Sequence, residues 1–368
     1  MMDPSKFEKY RTAGEIADSA LAKAIELCHQ KLKASEICLA SDKLMMERLN
    51  KGYKKLSKGI YLPTCLSINS VIAHDTFTEK NDYQLKENDI VRIELACHID
   101  NNIVSVGETI KIGDSNYNQS EQMLAALKAM EVGIQKIQPD IDTIEYKKSI
   151  EKVTKELGYY LVPRPDVFQE EDTTIFYDWC FRDNKFFCEP SWVVKKDNEL
   201  ELYNDDEFSE EEFDMEHTFT TGEVYHLSVV ISDKNKKSVE SDRKPQLYQK
   251  SSYSYNLKSK HARELLNLIL KDYSNRFWRI DDIDIPEGKK RLGLKMCLDS
   301  GVIRGLGIAN QTDSNIVLMK CSVIIQDNSI YKLTGRKYKT FGPYDKLSEE
   351  LNKILNYPKQ FDKRLELN

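Results

Sequence analysis

Val91-Arg92-Ile93-Glu94-Leu95-Ala96-Cys97-His98-Ile99-Asp100, continuing into Asn101-Asn102-Ile103-Val104-Ser105-Val106, is the stretch on which the reading of this chain turns. Apolar side chains at 91, 93, 95, 97 and 99 alternate with Arg92, Glu94, Ala96 and His98, which is the period of a strand with one apolar face. Asp100-Asn101-Asn102 then breaks the alternation with turn-forming residues, and Ile103, Val104, Val106 and Ile110 resume it. The spacing predicts a β-hairpin turning at Asn101. Its second face carries Glu94 and, by the same period of two, His98.

Working outward, Asp3-Pro4 reads as a helix start, followed by Tyr10, Ala13, Ile16, Ala17, Ala20, Leu21, Ala24, Ile25 and Cys28 at three- and four-residue spacing. That helix offers a stripe of mostly small residues to a flat surface such as a sheet. A second helix is expected near residues 42–56, and strand texture begins at Gly59. After the hairpin, Asn118 with Glu121 and Asp142 with Glu145 mark two helix starts, and Gly158 is placed to end the second. Strands are expected again around 225–231 and 316–325, and between them a helix around Ala262–Tyr273 lies in a segment of about seventy residues, read as a helical insertion over approximately 238–305 within one domain spanning 1–368. Residues 205–216 hold eight carboxylates in twelve positions and read as a solvated loop.

With 31% charged and 40% hydrophobic residues in 368, overall disorder and membrane spanning are excluded as descriptions of the chain. No charged-then-apolar leader is visible, so a cytoplasmic and possibly nuclear or nucleolar protein is expected. The eight cysteines contain no C-x-x-C pair and read as reduced core thiols. A formal charge of -6 gives no overall attraction for phosphate backbones, so any nucleic-acid contact requires a local basic patch.

Pro63-Thr64-Cys65-Leu66-Ser67-Ile68-Asn69-Ser70-Val71-Ile72-Ala73-His74, the hairpin strand with Glu94, Gly222-Glu223-Val224-Tyr225 and the strand Val317 to Ile325 together resemble the creatinase/methionine aminopeptidase superfamily. The resemblance implies its pita-bread α/β (α+β) fold, and the insertion resembles that of type 2 methionine aminopeptidases. Tyr10-Arg11-Thr12-Ala13-Gly14-Glu15-Ile16-Ala17 and Lys289-Lys290-Arg291 are most similar to the proliferation-associated, ErbB-receptor-binding growth regulator family. That family keeps the fold and lacks peptidase activity. Animal members end in a lysine-rich tail, whereas this sequence ends Phe361-Asp362-Lys363-Arg364-Leu365-Glu366-Leu367-Asn368, which implies weaker nucleolar retention and RNA affinity.

A two-metal hydrolase needs five oxygen and nitrogen ligands around cations roughly 3.5–4 Å apart. Carried onto this sequence, the resemblance puts Glu94 at the first ligand position, Ser105 at the second, Ser228 at the fourth and Lys320 at the fifth. The third, an imidazole, should precede Asp183, and residues 99–216 contain no histidine. Lys320 is the decisive departure, since an ammonium repels the cations it would stand beside; it is expected to replace the metal and compensate Glu94 across the sheet. His74 aligns with the substrate-contacting histidine and is expected to be a vestige held by neighbouring backbone. No metal, cofactor or catalytic residue is therefore expected.

The resemblance implies ribosome or structured-RNA partners and protein partners, for a chain acting as a monomer. Three basic clusters could serve: Lys51, Lys54, Lys55 and Lys58; Lys234, Lys236, Lys237, Arg243 and Lys244; and Lys250, Lys258, Lys260, His261 and Arg263, the last interleaved with Tyr248, Tyr253 and Tyr255. The alternative readings are a working aminopeptidase that removes initiator methionine, a pocket that binds peptide N-termini without cleaving them, and an adaptor that ignores RNA and uses the acidic stretch.

Overall fold

The Asp3 carboxylate accepts from the Lys6 amide at 3.0 Å and Pro4 opens the helix, so α1 runs Pro4–Leu27 as its sequence dictates. A computed structural model describes residues 2–162, 180–182 and 219–356, apart from 115, 118–119, 143, 242, 252–254, 275, 327–328 and 336–344. The elements that follow are α2 (Ala34–Lys51), β1 (Lys58–Ile68), β2 (Ile90–Ile99), β3 (Asn102–Lys111), α3 (Glu121–Lys136), α4 (Ile144–Glu156), β4 (Tyr160–Leu161), β5 (Cys180–Arg182) and β6 (Val224–Ser232). Then come β7 (Val239–Glu240), β8 (Leu247–Lys250), α5 (Lys260–Asp272), β9 (Trp278–Arg279), α6 (Glu287–Asp299), β10 (Ile303–Leu306), β11 (Ala309–Asn310), β12 (Ile316–Gln326), β13 (Ser329–Lys332) and α7 (Glu349–Asn356).

One antiparallel sheet runs in the order β1-β2-β3-β12-β6-β4, with β13 on β12 and β5 on β6. The β2–β3 hairpin turns at Asp100 and Asn101, both at positive φ (55° and 59°), the two-residue turn that suits twisted strands. Because side chains alternate, Val91, Ile93, Leu95 and Cys97 lie on one face, where α1 and α2 cover them through Ala13, Ala17, Ala20 and Ala24. Small residues allow that close approach: a Cβ on Gly14 would stand 2.2 Å from the Leu333 carbonyl oxygen. On the other half of the same face, Tyr225, Leu227, Val229, Val317 and Met319 pack under α3, α4 and α7. The helices thus sit outside, and the opposite face of the sheet is turned inward. This is the pita-bread α/β fold expected from the sequence.

The segment between β6 and β12 contains more than the one expected helix. It has its own β10-β8-β9 sheet, two helices and a core around Trp278, Leu265 and Cys297. Leu247, Phe277 and Leu306 seat this layer on Tyr61, Ala96 and Ile103 of the inner face. A buried ion pair pins it: Arg279 Nη2 lies 2.6 Å from Asp42 Oδ2.

That pair explains the error over α2, which spans Ala34–Lys51 and not 42–56. Asp42, where the helix was expected to begin, is mid-helix and buried like Ser41 beside it, with Ser41 Oγ donating to the Ala20 carbonyl and Asp42 accepting from the Thr64 amide. The start of α3 is capped by Ser120, which accepts from the Met123 amide, while Asn118 lies outside the described residues. Gly158 follows α4 at φ +81° as expected. Cys38, Cys65, Cys97, Cys297 and Cys321 are buried and free, with Cys28 free and half-buried. The acidic residues 205–216 lie outside the described residues.

Candidate functional site

A single row of paired residues crosses the middle of the inner face. Glu94 of β2 pairs with Gly107 of β3, Gly107 with Lys320 of β12, and Lys320 with Ser228 of β6. Glu94 and Lys320 are therefore two strands apart, about 9–10 Å of backbone. Their side chains close the gap over Gly107, and Lys320 Nζ stands 2.5 Å from Glu94 Oε2 with the two side chains 6% and 1% exposed. The bridge needs a glycine beneath it. A Cβ at 107 would come within 2.8 Å of Leu318 Cδ2, 3.0 Å of the Ile93 carbonyl oxygen and 3.3 Å of Lys320 Cβ.

The second oxygen of Glu94 belongs to His74. The His74 amide donates to Oε1 at 2.7 Å, and Nδ1 lies 3.1 Å from the same atom. His74 holds φ +62°, a left-handed conformation that costs a non-glycine residue of order 1 kcal/mol or more. The segment carrying it is buried against β1, with Leu66 N donating to the Asp75 carbonyl and Thr76 Oγ1 to the Thr64 carbonyl. Burial alone would raise the Glu94 pKa, but His74 and Lys320 outweigh it and hold the carboxyl well below the usual carboxylate range. Glu94 is thus an ionised acid whose acceptor sites are committed to protein donors.

This donor set does not fit a metal pair. An ammonium 2.5 Å from the one carboxylate in the row occupies the place and supplies the charge that cations would bring, and Ser228 and Gly107 provide no anion. Among the described residues no group of three or more His, Cys, Asp or Glu is placed to hold a metal.

The structure corrects several expectations. Ser105 shares the inner face with Glu94 but pairs with Ala96, one step along. Its Oγ lies 3.0 Å from Nδ1 of His226, which is also 2.8 Å from Ser322 Oγ. The residue opposite Glu94 is Gly107. His74 is held by Glu94 and not by backbone alone. His226 was missed, although it lies two residues before Ser228 and the period of two puts both on one face. The stretch expected to carry the third ligand lies mostly outside the described residues. Arg92, also unremarked in the sequence, is fully buried on this face, with Nη1 and Nη2 donating to the carbonyls of Ile316 and Asn69; burial pushes it down to about 10. His98 is buried on the same face and is driven down to about 4 by burial and by Arg276, so it is neutral at pH 7.

The basic clusters divide into structural and free members. Lys58 turns inward and donates to the carbonyls of Gly52 and Tyr53, whereas Lys51, Lys54 and Lys55 are exposed. Arg243 forms a two-pronged pair with the buried Asp75, at 2.6 and 3.1 Å. Lys234 and Lys236 donate to the carbonyls of Asp313 and Thr312, Lys250 to that of Ser251, and Arg263 to those of Leu257 and Lys258. Lys237, Lys244, Lys258 and Lys260 remain exposed. Tyr248 is buried and stacked on Trp278 with ring centroids 5.2 Å apart, so it is no platform for a base; Tyr255 is 50% exposed, and Tyr253 lies outside the described residues.

Residues 8–182 match the family model described as Metallopeptidase family M24. A proliferation-associated protein A of Dictyostelium discoideum is 26% identical over 352 residues, covering 92% of this chain and 84% of that protein. An ERBB-3 binding protein 1 of Solanum tuberosum is 25% identical over 354 residues, covering 93% and 84%. The solved structure of a thermophilic Arx1 superposes with a TM-score of 0.74 at 22% identity over 98% of this chain and all of that one, and a methionine aminopeptidase from Thermotoga maritima with 0.52 at 13% identity over 91% and 98%. The chain thus has the pita-bread fold, matches the M24 model over residues 8–182, and is similar over most of its length to proliferation-associated and ERBB-3 binding proteins.

Proposed function

We propose that the chain is a non-catalytic pita-bread shell that binds ribosomes or structured RNA, together with protein partners, in growth control in the cytoplasm or nucleus. The observation that carries the non-catalytic part is the Lys320–Glu94 pair, which puts an ammonium where a hydrolytic relative needs cations. The names of the relatives, proliferation-associated and ERBB-3 binding, support a role in growth and partner binding. The RNA part draws on Lys237, Lys258 and Lys260, exposed basic residues flanking the insertion, with Lys234, Lys236, Lys250 and Arg263 holding the loops that present them.

The test is co-sedimentation with ribosomal subunits on sucrose gradients. The triple variant Lys237→Glu, Lys258→Glu, Lys260→Glu should lose the association while keeping the fold, because those side chains are exposed and make no hydrogen bond or ion pair among the described residues; an unchanged profile removes the reading. The competing reading, removal of initiator methionine, predicts turnover of a Met-Ala-Ser peptide with added cobalt or manganese, and the proposal predicts none.

A further inference from the structure

His98 stands at the seam where the insertion meets the sheet. It lies on the inner face of β2, paired with Gly59 of β1 and Ile103 of β3, and is 3% exposed. Arg276, on the backbone joining α5 to β9, reaches over Gly59 from the insertion side. Its Nη1 occupies the space that a Cβ on Gly59 would fill, and His98 Nε2 is 3.6 Å from the same point. The guanidinium acts as a clasp. Its Nη1 donates to the Ile60 carbonyl at 3.4 Å, Nε to the Tyr273 carbonyl at 2.9 Å and Nη2 to the Asp272 carbonyl. The next residue closes the seam, since the Phe277 amide donates to the Tyr61 carbonyl at 2.9 Å and the two rings meet edge to face. Neither ring nitrogen of His98 has a hydrogen-bond partner among the described residues. A buried imidazole is ordinarily satisfied on at least one side, and an apolar side chain would fill this seam without the cost of an unmet N–H.

We propose that His98 is a proton-sensitive latch on the insertion: the neutral ring lets Arg276 and Phe277 seat on β1, and the protonated ring drives them off. Charge and solvation set the direction. A charged imidazole would lie beside Arg276 in a buried seam with no acceptor for either of its N–H groups. Asp100 is the carboxylate that favours the charged ring, and Lys9 already engages it at 2.5 Å. On the other elements around the seam, Lys58 turns to the carbonyls of Gly52 and Tyr53, Asp272 is exposed at the end of α5, and burial keeps the Tyr273 hydroxyl un-ionised, pushed up to about 12. Opening the seam gives the ring water and distance from Arg276. Burial and Arg276 hold the closed ring at about 4 against its ordinary 6.5, so the closed seam is fully favoured above pH 6.5 and weakens as pH falls towards 4. The latch concerns how the insertion is attached and does not rest on ribosome binding.

The test is hydrogen exchange of the full chain by mass spectrometry at about pH 7.5 and about pH 5, with rates corrected for the intrinsic pH dependence of amide exchange. Protection in β8 and around Phe277 should fall at least about tenfold at the lower pH relative to the β2–β3 hairpin, which serves as the internal reference. His98→Gln cannot titrate and should hold the same ratio within about threefold between the two pH values. His98→Leu makes the same prediction and carries the test if the glutamine variant does not fold. Ring-labelled histidine followed by NMR reads the protonation of His98 directly in the wild-type chain, and the ring should titrate well below its ordinary value. Protection around Phe277 that tracks the hairpin within about twofold overturns the latch, as does a pH response that survives in both variants or a His98 ring that titrates at its ordinary value.

Discussion

Replacing Lys320 by methionine keeps the length of the stem and removes the ammonium, leaving Glu94 ionised, 1% exposed and with His74 alone as its partner among those that hold it here. The attraction being removed is on the order of 6–7 kcal/mol, from unit charges 2.5 Å apart at an effective dielectric near 20. Much of that is offset by the desolvation that both ions already suffer, so the expected net loss is about 3–5 kcal/mol, the range for breaking one side of a buried pair. Glu94→Met should cost at least as much, because it also strips the His74 amide of its acceptor at 2.7 Å. The double variant should then be more stable than the sum of the two losses predicts by about 2 kcal/mol or more, since the apolar pair leaves no orphaned charge. Urea unfolding at pH 7, followed by circular dichroism, gives all four corners of the cycle. Single losses below about 1 kcal/mol, or losses that add within about 0.5 kcal/mol, would refute the claim that these two residues form one coupled unit.

Three other outcomes follow from the geometry. Gly107→Ala should destabilise by about 1–3 kcal/mol, because its Cβ meets Leu318 and the Ile93 carbonyl, and should weaken the coupling in the same cycle by pushing the lysine stem aside. Asp18 is raised to about 6 by burial, against the Gly335 amide and Lys332, so its folded form binds a proton more tightly than the unfolded chain and stability falls as pH rises from about 4 to 6. Asp18→Asn should therefore gain up to about 3 kcal/mol at pH 7.5 and nothing at pH 4, read by urea midpoints at the two pH values. Arg279→Met leaves the buried Asp42 uncompensated and should raise hydrogen exchange in β8 and β9 well above that in β2 and β3; equal protection in both would mean the ion pair does not hold the insertion down.

The sheet was legible because its strands keep the period of two on both sides of a turn that only positive-φ residues satisfy, and α1 because its small-residue stripe keeps the helical period. Lys320 and Glu94 could be paired in advance because a buried carboxylate demands a cation and the fold's resemblance put both near one place. What the sequence hid were choices of partner. The second helix was expected to begin near Asp42 because a polar residue before an apolar run is a local signal, whereas the buried partners of Asp42 and Ser41, namely Arg279, Thr64 and Ala20, lie on other elements. The role of Gly107 depends on a register between β2 and β3 that no pattern of hydrophobicity fixes to the residue. Arg243, Arg263 and Lys58 looked like free basic groups because charge is visible in sequence and the carboxylate or carbonyl that absorbs it is not.

Calorimetric titration of the purified chain with manganese or cobalt bears most directly on the central claim that a lysine has taken the place of the metal centre. The account predicts no stoichiometric heat, in the wild type and in a variant with Ser228→Glu alone, because Lys320 still occupies the row. Saturable uptake of one or two ions per chain by the wild-type protein, with displacement of the Lys320–Glu94 contact, would contradict it.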